Sequence, residues 1–277
     1  MISGPVHGAI RHDLEVDGLI TSYLEAGTGP MVLLLHSGEY GASAELSWEY
    51  TIPVLSRRYH VIAPDWLGYG WTAKVHDFER GTGRLLSHMG RLCQELGLDR
   101  VPVVASSLGA SLALADASSV RPRLPASSIV AICGGGEIAR NKHVDALFDY
   151  DGSVGAMRRI VEALFEDPSW ADESYIQRRH EQSMIPGAWE CVSAPRFRPP
   201  ALGAVTSRPK PAYENISVPT LLIAGDRDKI KPSGWANDLQ ARIPSCEVFV
   251  VLGAGHLPHI EDPETVHPAI LDFLDKH

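Results

Sequence analysis

The sequence predicts an α/β fold, a doubly wound and mostly parallel sheet into which a helical cap is inserted. Strand-sized apolar runs, such as residues 31–35 and 220–224, alternate with helix-sized amphipathic segments. The alternation stops between about residues 137 and 212, where only helical patterns occur, and it resumes near residue 218. We therefore expect a core formed by residues 1–136 and 213–277, and a cap formed by residues 137–212.

The first part of the chain alternates strands with helices up to about residue 133. The continuous apolar run at 31–36 is typical of a strand that is buried on both faces of a sheet. Leu85, Met89, Leu92 and Leu96 have the spacing of one helix face, and Gly97 follows them as a C-cap. The predicted strands are 19–25, 31–36, 59–63, 101–105 and 128–133, and the predicted helices are 45–55, 78–96 and 108–117.

The second part begins with the helical interruption and then returns to the alternating pattern. Helical patterns occur at 144–148, 155–165 and 174–182, without a convincing strand between them. The pattern then continues with a strand at 220–224, a helix at 233–242, a strand at 247–252 and a helix at 263–274. We expect the cap to cover the carboxyl ends of the strands, because open α/β sheets bind their ligands at that edge.

The charge balance and the apolar runs exclude several classes of protein. The 277 residues carry a net charge of −9, whereas a nucleic-acid partner would need a basic face. No apolar run approaches the roughly 20 residues of a membrane-spanning helix, and the first residues lack the apolar segment of a signal peptide. Four scattered cysteines suit a reducing compartment. We expect a cytoplasmic protein with a small-molecule substrate and no nucleic-acid or membrane partner; a homo-oligomer is compatible with the sequence.

The stretch VVASSLGA (103–110) places two serines directly after a predicted strand. It resembles the G-x-S-x-G nucleophile motif without its first glycine. In such a strand-turn-helix elbow the residues two before and two after the nucleophile must be small. Ser107 has Ala105 and Gly109 at those positions, whereas Ser106 would have two bulky residues. We therefore predict Ser107 as the nucleophile, although a serine that merely caps a helix would give the same local sequence.

A serine nucleophile needs a histidine base and an acid that orients it, and both follow predicted strands. Asp228 lies three residues beyond Gly225, after the strand at 220–224, and His256 follows the strand at 247–252. We predict a triad of Ser107, Asp228 and His256, with Asp226 holding the turn. Glu137, just after the strand at 128–133, remains an alternative acid.

The negative charge that develops on a substrate carbonyl needs hydrogen-bond donors. The backbone N–H of Leu108 follows the nucleophile at the N-terminus of a helix, where negative charge is favoured. A second N–H should come from the loop HSGEYG (36–41), in which Gly38 allows close approach of a substrate. No metal site is predicted, because His256 and His259 lack a third ligand.

These residues, in this order, resemble the α/β-hydrolase superfamily over nearly the whole chain. LLLHSGEYGASA (33–44), YHVIAPDWLGYGWT (59–72) and YIQRRHEQSMIPGAWE (175–190) are similar to segments of the meta-cleavage-product hydrolases. The resemblance implies hydrolysis, without a cofactor, of a carbon–carbon bond in a vinylogous 1,5-diketone. It also implies a keto intermediate formed by tautomerisation, followed by attack of serine or of water that the serine helps to place.

The resemblance also suggests residues that bind the substrate. Arg179 matches the cap arginine that this family uses on the dienol-keto acid end, and a guanidinium suits a carboxylate; a surface arginine on a charged helix face is the other interpretation. Trp189 supplies aromatic surface in the cap. Several pocket positions depart from the family: Ser37 and Glu39 stand in place of glycine, Ser47 and Ser106 in place of asparagine, and Leu257 in place of tryptophan.

Three functions remain open at this point. The first is a serine hydrolase that cleaves a carbon–carbon bond in a ring-fission-type product. The second is a carboxylesterase or lactonase with the same triad. The third is a non-hydrolytic member of the fold, either a small-molecule receptor or a cofactor-free oxygenase that uses the His–Asp pair. An epoxide hydrolase or haloalkane dehalogenase is disfavoured, because it would have aspartate at the position of Ser107.

Overall fold

The computed structural model describes residue 6 and residues 8–203 and 210–277. Residues 204–209, which belong to the predicted cap, and residues 1–5 and 7 of the predicted core lie outside the described residues. The strands are β1 (Ile10–Val16), β2 (Leu19–Ala26), β3 (Met31–Leu35), β4 (His60–Pro64), β5 (Val101–Ser106), β6 (Ala126–Ile132), β7 (Thr220–Gly225) and β8 (Cys246–Val251).

The eight strands form one sheet in the order β1-β2-β4-β3-β5-β6-β7-β8. The pairs β1–β2 and β2–β4 are antiparallel, and every pair from β4 to β8 is parallel. Strand β5 therefore lies near the centre of the sheet. The carboxyl ends of its parallel neighbours meet at the same edge, as the predicted doubly wound architecture requires.

The helices of the described residues connect these strands. They are α1 (Ala44–Trp48), α2 (Ile52–Leu55), α3 (Thr82–Glu95), α4 (Leu108–Ala117), α5 (Lys142–Phe148), α6 (Val154–Leu164), α7 (Glu173–Ser183), α8 (Ala188–Ser193), α9 (Trp235–Gln240), α10 (Pro258–Glu261) and α11 (Pro263–Lys276). Within the described ranges, no helix combines the length and apolarity needed to cross a membrane.

The core lies on both faces of the sheet, because neighbouring residues of each buried strand point to opposite sides. Along β3, Leu33 and Leu35 pack against the side covered by α3, α4 and α9. Val32 and Leu34 pack against the side covered by α1, α2 and α11. All four side chains are essentially inaccessible to solvent. The predicted burial of this strand on both faces is confirmed.

Helices α5 to α8 lie between β6 and β7, where the sequence predicts the cap. They build a separate apolar cluster around Met157, Ile160 and Tyr175, which also contains Tyr40 from the loop after β3. The described part of this segment contains no strand, in agreement with the sequence pattern. The division of the chain at residues 137 and 212 stays a prediction.

Two local predictions were wrong, and one strand was missed. The predicted helix 45–55 is interrupted between Trp48 and Ile52 and forms α1 and α2. The predicted helix 78–96 begins only at Thr82, because the Asp77 carboxylate accepts the N–H groups of residues 79 and 80 in a preceding turn, and Gly81 has a φ of 51°. Strand β1 is not predicted from the sequence, because its residues, IRHDLEV, are mostly polar and it lies at the antiparallel edge of the sheet.

Candidate active site

Ser107 lies at a sharp turn between β5 and α4, at the carboxyl edge of the sheet. Its φ of 48° and ψ of −108° are unusual for a residue with a side chain. The turn is held by hydrogen bonds: the Ser107 N–H donates to the Ile132 carbonyl at 2.8 Å, and the Ser107 carbonyl accepts from Ser111 N at 2.9 Å. The strained residue is therefore fixed between a central strand and a helix.

The surroundings of this turn explain why small residues are needed. A Cβ on Gly109 would lie 2.4 Å from the Leu35 carbonyl oxygen, so only glycine fits. A Cβ on Gly134 would lie 2.5 Å from the Ser107 carbonyl oxygen. Ala105, two residues before Ser107, is fully buried within β5. This geometry agrees with the prediction that Ser107, rather than Ser106, lies at the turn.

Two hydrogen bonds join Ser107, His256 and Asp228. Ser107 Oγ lies 2.9 Å from His256 Nε2, and His256 Nδ1 lies 2.8 Å from Asp228 Oδ2. Because an ionised carboxylate only accepts hydrogen bonds, Nδ1 carries the hydrogen and Nε2 is the acceptor for the serine hydroxyl. This arrangement lets His256 take the proton of Ser107 while Asp228 stabilises the resulting imidazolium.

The Asp228 carboxylate is fixed and ionised. Its other oxygen, Oδ1, accepts the N–H groups of Ile230 at 2.7 Å and Lys231 at 3.1 Å. Burial raises the pKa of this carboxyl, but His256 and the two backbone donors outweigh that effect, and the net shift is downward. Asp226 instead accepts from Gly253 N at 2.6 Å, in agreement with its predicted role in the turn.

Glu137, the alternative acid, does not reach the histidine. Its side chain is 78% exposed and pairs with Lys210. The hydrogen bond from His256 Nδ1 goes to Asp228. Glu137 is therefore not in a position to orient the base.

The two predicted oxyanion donors lie together in the wall of one cavity. Gly38 and Leu108 both line it, and a Cβ on Gly38 would lie 2.3 Å from Leu108 Cδ2. Among the described residues, neither backbone N–H has a hydrogen-bond acceptor in the protein. The Tyr69 hydroxyl donates to the Gly38 carbonyl at 2.7 Å and so holds the peptide orientation of this loop. No role for this tyrosine is predicted from the sequence.

A buried ion pair lies beside this loop. Glu39 Oε1 accepts from Arg179 Nη2 at 2.6 Å and from the Ser37 hydroxyl at 2.7 Å. The two charged side chains are only 4% and 2% exposed. Burial raises the pKa of Glu39, but the Arg179 guanidinium and the Ser37 hydroxyl outweigh it, so the net shift is downward and the carboxyl is ionised. The interpretation of Arg179 as a surface arginine was wrong.

The cavity that contains Ser107 and His256 has a volume of about 500 Å³. The loops at the edge of the sheet form one side of it. The other side is largely apolar. It is formed by side chains of α5 and the residues near it, of α8, and of the segment that follows α8. These lining residues are Ile138, Val144, Leu147, Phe148, Val192 and Pro195. A cavity of this size and character suits a small organic substrate.

The structure does not place the six residues predicted to bind substrate in the wall of this cavity. Ser37 and Arg179 bond to Glu39, which itself lines the cavity. Ser106 is fully buried, and its hydroxyl has no hydrogen-bond partner. Ser47 is buried in α1, Leu257 is buried among residues of α6 and α7, and Trp189 lines a different cleft beside Gly152 and Met184.

The loop that carries His256 is attached to α6 and the residues after it. The His256 N–H donates to the Leu164 carbonyl at 2.7 Å. Glu261 in α10 accepts from Gly255 N at 2.6 Å with Oε2, and from the N–H groups of Glu166 and Asp167 at 2.8 and 2.6 Å with Oε1. Glu261 is not predictable from a local sequence pattern, because its partners are up to 95 residues away.

One group of potential metal ligands exists among the described residues. Ligand atoms of Cys133, Asp228 and His256 lie within 4.8 Å of one another. Both ring nitrogens of His256 are already hydrogen-bonded, one to the carboxylate and one to the serine hydroxyl. Burial also raises the pKa of the Cys133 thiol well above its usual value, so the thiol is protonated. These hydrogen bonds suit proton transfer among Ser107, His256 and Asp228.

Comparison with known proteins identifies the family. The model of the alpha/beta hydrolase family matches residues 32–269. The chain belongs to this family. This assignment makes the protein a hydrolase, and it confirms the fold that the sequence predicts.

The relatives include several meta-cleavage-product hydrolases. The 2-hydroxy-6-oxo-6-(2'-aminophenyl)hexa-2,4-dienoic acid hydrolase of Metapseudomonas resinovorans is 30% identical, over 96% of this chain and 91% of its own. The 2-hydroxy-6-oxo-2,4-heptadienoate hydrolase of Pseudomonas putida (strain F1) is 28% identical, over 97% of this chain and 98% of its own.

Solved structures lead to the same group of enzymes. A meta-cleavage product hydrolase from Pseudomonas fluorescens IP01 superposes with a TM-score of 0.84 at 26% identity, covering 96% of this chain and 97% of its own. A serine hydrolase involved in carbazole degradation superposes with a TM-score of 0.82 at 28% identity, covering 97% and 100%. The resemblance to the meta-cleavage-product hydrolases that the sequence motifs suggest is confirmed.

Proposed function

We propose that this alpha/beta hydrolase breaks a carbon–carbon bond beside a carbonyl group in a small, largely apolar diketone of the ring-fission type. The observation that carries the proposal is the hydrogen-bonded series Ser107–His256–Asp228, which faces a cavity of about 500 Å³. The relatives that act on ring-fission products support the carbon–carbon bond as the target.

The geometry supports the following sequence of steps. The substrate first tautomerises to its keto form. His256 takes the proton of Ser107, or of a water molecule beside it, and the oxygen nucleophile attacks the carbonyl carbon. The backbone N–H groups of Gly38 and Leu108 stabilise the resulting oxyanion. When the intermediate collapses, the carbon–carbon bond breaks, and the leaving carbon, whose charge is delocalised over the conjugated ketone, accepts a proton from His256.

In the route through Ser107, the acyl group remains on the serine oxygen. A water molecule then attacks this ester while His256 takes its proton, which releases the acid and restores the serine hydroxyl. Throughout both halves Asp228 keeps the imidazole in the required tautomer. These steps need no oxidant, reductant or cofactor.

A carboxylesterase or lactonase that uses the same residues is the second candidate. The observation in its favour is the apolar wall of Val144, Leu147, Phe148 and Val192, which suits an uncharged acyl chain. The oxyanion donors and the base would act in the same way on an ester carbonyl. The two candidates therefore differ in the leaving group and not in the site.

Replacing the serine and offering both classes of substrate tests the proposal. We expect Ser107→Ala to lower kcat/KM by a factor of about 10³ or more. Ser106→Ala, a matched control at a buried hydroxyl without a partner, should stay within a few-fold of wild type. The panel contains vinylogous 1,5-diketones, dienol-keto acids and 4-nitrophenyl esters, followed by absorbance.

The results separate the three functions. Turnover of a diketone or keto acid with poor ester turnover supports carbon–carbon hydrolysis, and the reverse result would replace it by the esterase. Activity that survives Ser107→Ala would contradict both and would favour a non-hydrolytic role for the His256–Asp228 pair.

A further inference from the structure

The charged side chains of the cavity wall differ in their partners within the protein, and therefore in how freely they can bind a substrate. Its side chains include one ionised carboxylate, Glu39, and two cations, Arg196 and Lys231. Lys231 Nζ donates to the carbonyls of Gly135 and Glu137. Lys231 therefore already has partners in the protein. Arg196 also has two, a carbonyl and an aromatic ring.

Arg196 lines the cavity and is exposed to solvent. It donates to the Tyr150 carbonyl at 3.2 Å and stacks over the ring of Tyr40, with 5.5 Å between the guanidinium carbon and the ring centroid. These contacts hold it between Tyr150, in the segment between β6 and β7, and Tyr40, in the loop after β3. Among the described residues, Arg196 forms no ion pair with Glu39, whose partner is Arg179.

Arg179 lies behind Glu39 and does not line the cavity. Its Nη2 is bonded to Glu39, its Nη1 donates to the Tyr175 hydroxyl at 3.4 Å, and its Nε has no partner among the described residues. The loop after β3 packs closely onto it: a Cβ on Gly41 would lie 2.2 Å from the Arg179 carbonyl oxygen. A substrate group can therefore reach this guanidinium only by displacing Glu39.

We propose that Glu39 determines substrate specificity: it occupies the Arg179 guanidinium as an internal carboxylate, so the enzyme takes diketones whose end beside Glu39 is uncharged. This inference rests on the proposed function and specifies its substrate class. A second carboxylate beside Glu39 would meet a like charge at short range and in a partly desolvated site, where such repulsion is strong. A methyl ketone or another neutral end meets no such cost.

The Ser37 hydroxyl supports this interpretation. It donates to the same oxygen of Glu39 that binds Arg179, so two side chains hold this one carboxylate in place. All three residues are buried. A carboxylate that only attached the loop to α7 would not need to line the cavity. Glu39 lines the cavity.

A matched pair of substrates tests the inference. The first is a vinylogous 1,5-diketone that carries a phenyl group at one end and a methyl ketone at the other; in the second, a carboxylate replaces that methyl group. We expect wild type to favour the neutral diketone by at least tenfold in kcat/KM. In Glu39→Gln the Arg179 charge is uncompensated, and the ratio should shift toward the carboxylate by at least tenfold.

The double variant Glu39→Gln/Arg179→Met is the control, because it removes both charges. Its preference should return to the neutral diketone. A wild-type preference for the carboxylate would overturn the inference, and so would a ratio that is unchanged in Glu39→Gln. A purely structural role of the pair would lower the melting temperature without moving this ratio. If Glu39→Gln does not fold, the wild-type ratio and the double variant still decide.

Failure of the proposed function is distinguishable from failure of this inference. If no variant cleaves either diketone, the carbon–carbon proposal is wrong. The charge preference is then measured as the ratio of the two dissociation constants on Ser107→Ala by calorimetry. It is also measured with two 4-nitrophenyl esters that end in a methyl group or a carboxylate. The same tenfold preference for the neutral member is expected in each case, and its absence overturns the role of Glu39.

Discussion

Asp226 and Asp228 are two residues apart in the sequence, yet they hold different parts of the molecule. Asp228 bonds to His256, the proposed base, and Asp226 bonds to the backbone of Gly253 in the loop that leads to His256. Only the first of these contacts reaches the proton-transfer atoms. The pair therefore offers a test of the acid with an internal control of the same chemistry.

We predict that Asp228→Asn lowers kcat by a factor of about 10³–10⁴, because an amide at this position favours the wrong tautomer of His256. Asp226→Asn should keep kcat within about tenfold of wild type and should mainly lower the melting temperature. Steady-state kinetics and thermal unfolding of both variants provide the measurement. Similar losses of kcat in the two variants would contradict the assignment of Asp228 as the acid.

Single residues differ in how well the sequence predicts them, for a physical reason. Ser107 was predictable because the steric limits of a strand-turn-helix elbow depend on neighbours within two positions. The partner of Glu39 is Arg179, 140 residues away, so local pattern reasoning identified each residue but not the ion pair. The signal in the sequence is the single acidic residue, Glu39, within the loop HSGEYG.

At the level of elements, the short helix α10 connects the active-site loop with the segment between β6 and β7. Its Glu261 accepts three backbone N–H groups, one from Gly255 beside His256 and two from residues 166 and 167 after α6. Carboxylates that accept several backbone N–H groups form strong, directional contacts. We infer that Glu261 is a positioning residue that sets the distance between His256 and Ser107.

We predict that Glu261→Gln lowers kcat by about tenfold and leaves KM within a few-fold, because the base is displaced while the cavity is kept. The stability loss should be about 1–2 kcal/mol, because a charged acceptor is lost while two of its three donors, those of Glu166 and Asp167, are exposed to water. Kinetics are measured well below the melting temperature, so that unfolding does not contribute. Glu264→Gln, an exposed position in the first turn of α11, is the control. An unchanged kcat in Glu261→Gln would show that other contacts hold the loop.

Secondary structure was predicted best where it depends on local periodicity. The buried strands β3, β5 and β7 have nearly continuous apolar sequences, and α3 has apolar residues along one face. The edge strand β1 has a mixed pattern because one of its neighbours is solvent. Helices α1, α2 and α10 are only four or five residues long, which is too short for a helical period to be recognised in the sequence.

For the whole molecule, the order of strands and helices was sufficient to predict the parallel sheet and the edge at which the site lies. The lining of the cavity was not predictable in the same way, because it depends on how α5 to α8 pack over that edge. Residues chosen by their position in family motifs, such as Ser47 and Leu257, lie instead in the packed interior. The sequence therefore predicts the site residues that the sheet positions. It does not predict the residues that the helices above the sheet bring into the cavity wall.

The stability of the whole molecule should depend on pH through its buried histidines. Burial lowers the pKa of His88 and His267 to about 4 and that of His259 to about 3. In the unfolded chain these groups take up protons near pH 6.5. Between about pH 6.5 and 4 the unfolded state therefore binds more protons than the folded state, and the free energy of unfolding falls as the pH falls.

We predict that urea unfolding shows a loss on the order of 1–2 kcal/mol per buried histidine between pH 7 and pH 5. His267→Gln removes one of these groups, so its free energy of unfolding should decline less steeply over this range than that of wild type. His277→Gln, at an exposed terminal residue, should keep the wild-type slope. Buried carboxylates with lowered pKa values, such as Asp228, act only at lower pH, because their unfolded-state values are already near 4. A wild-type free energy of unfolding that stays constant from pH 7 to pH 5 would contradict this account of the buried histidines.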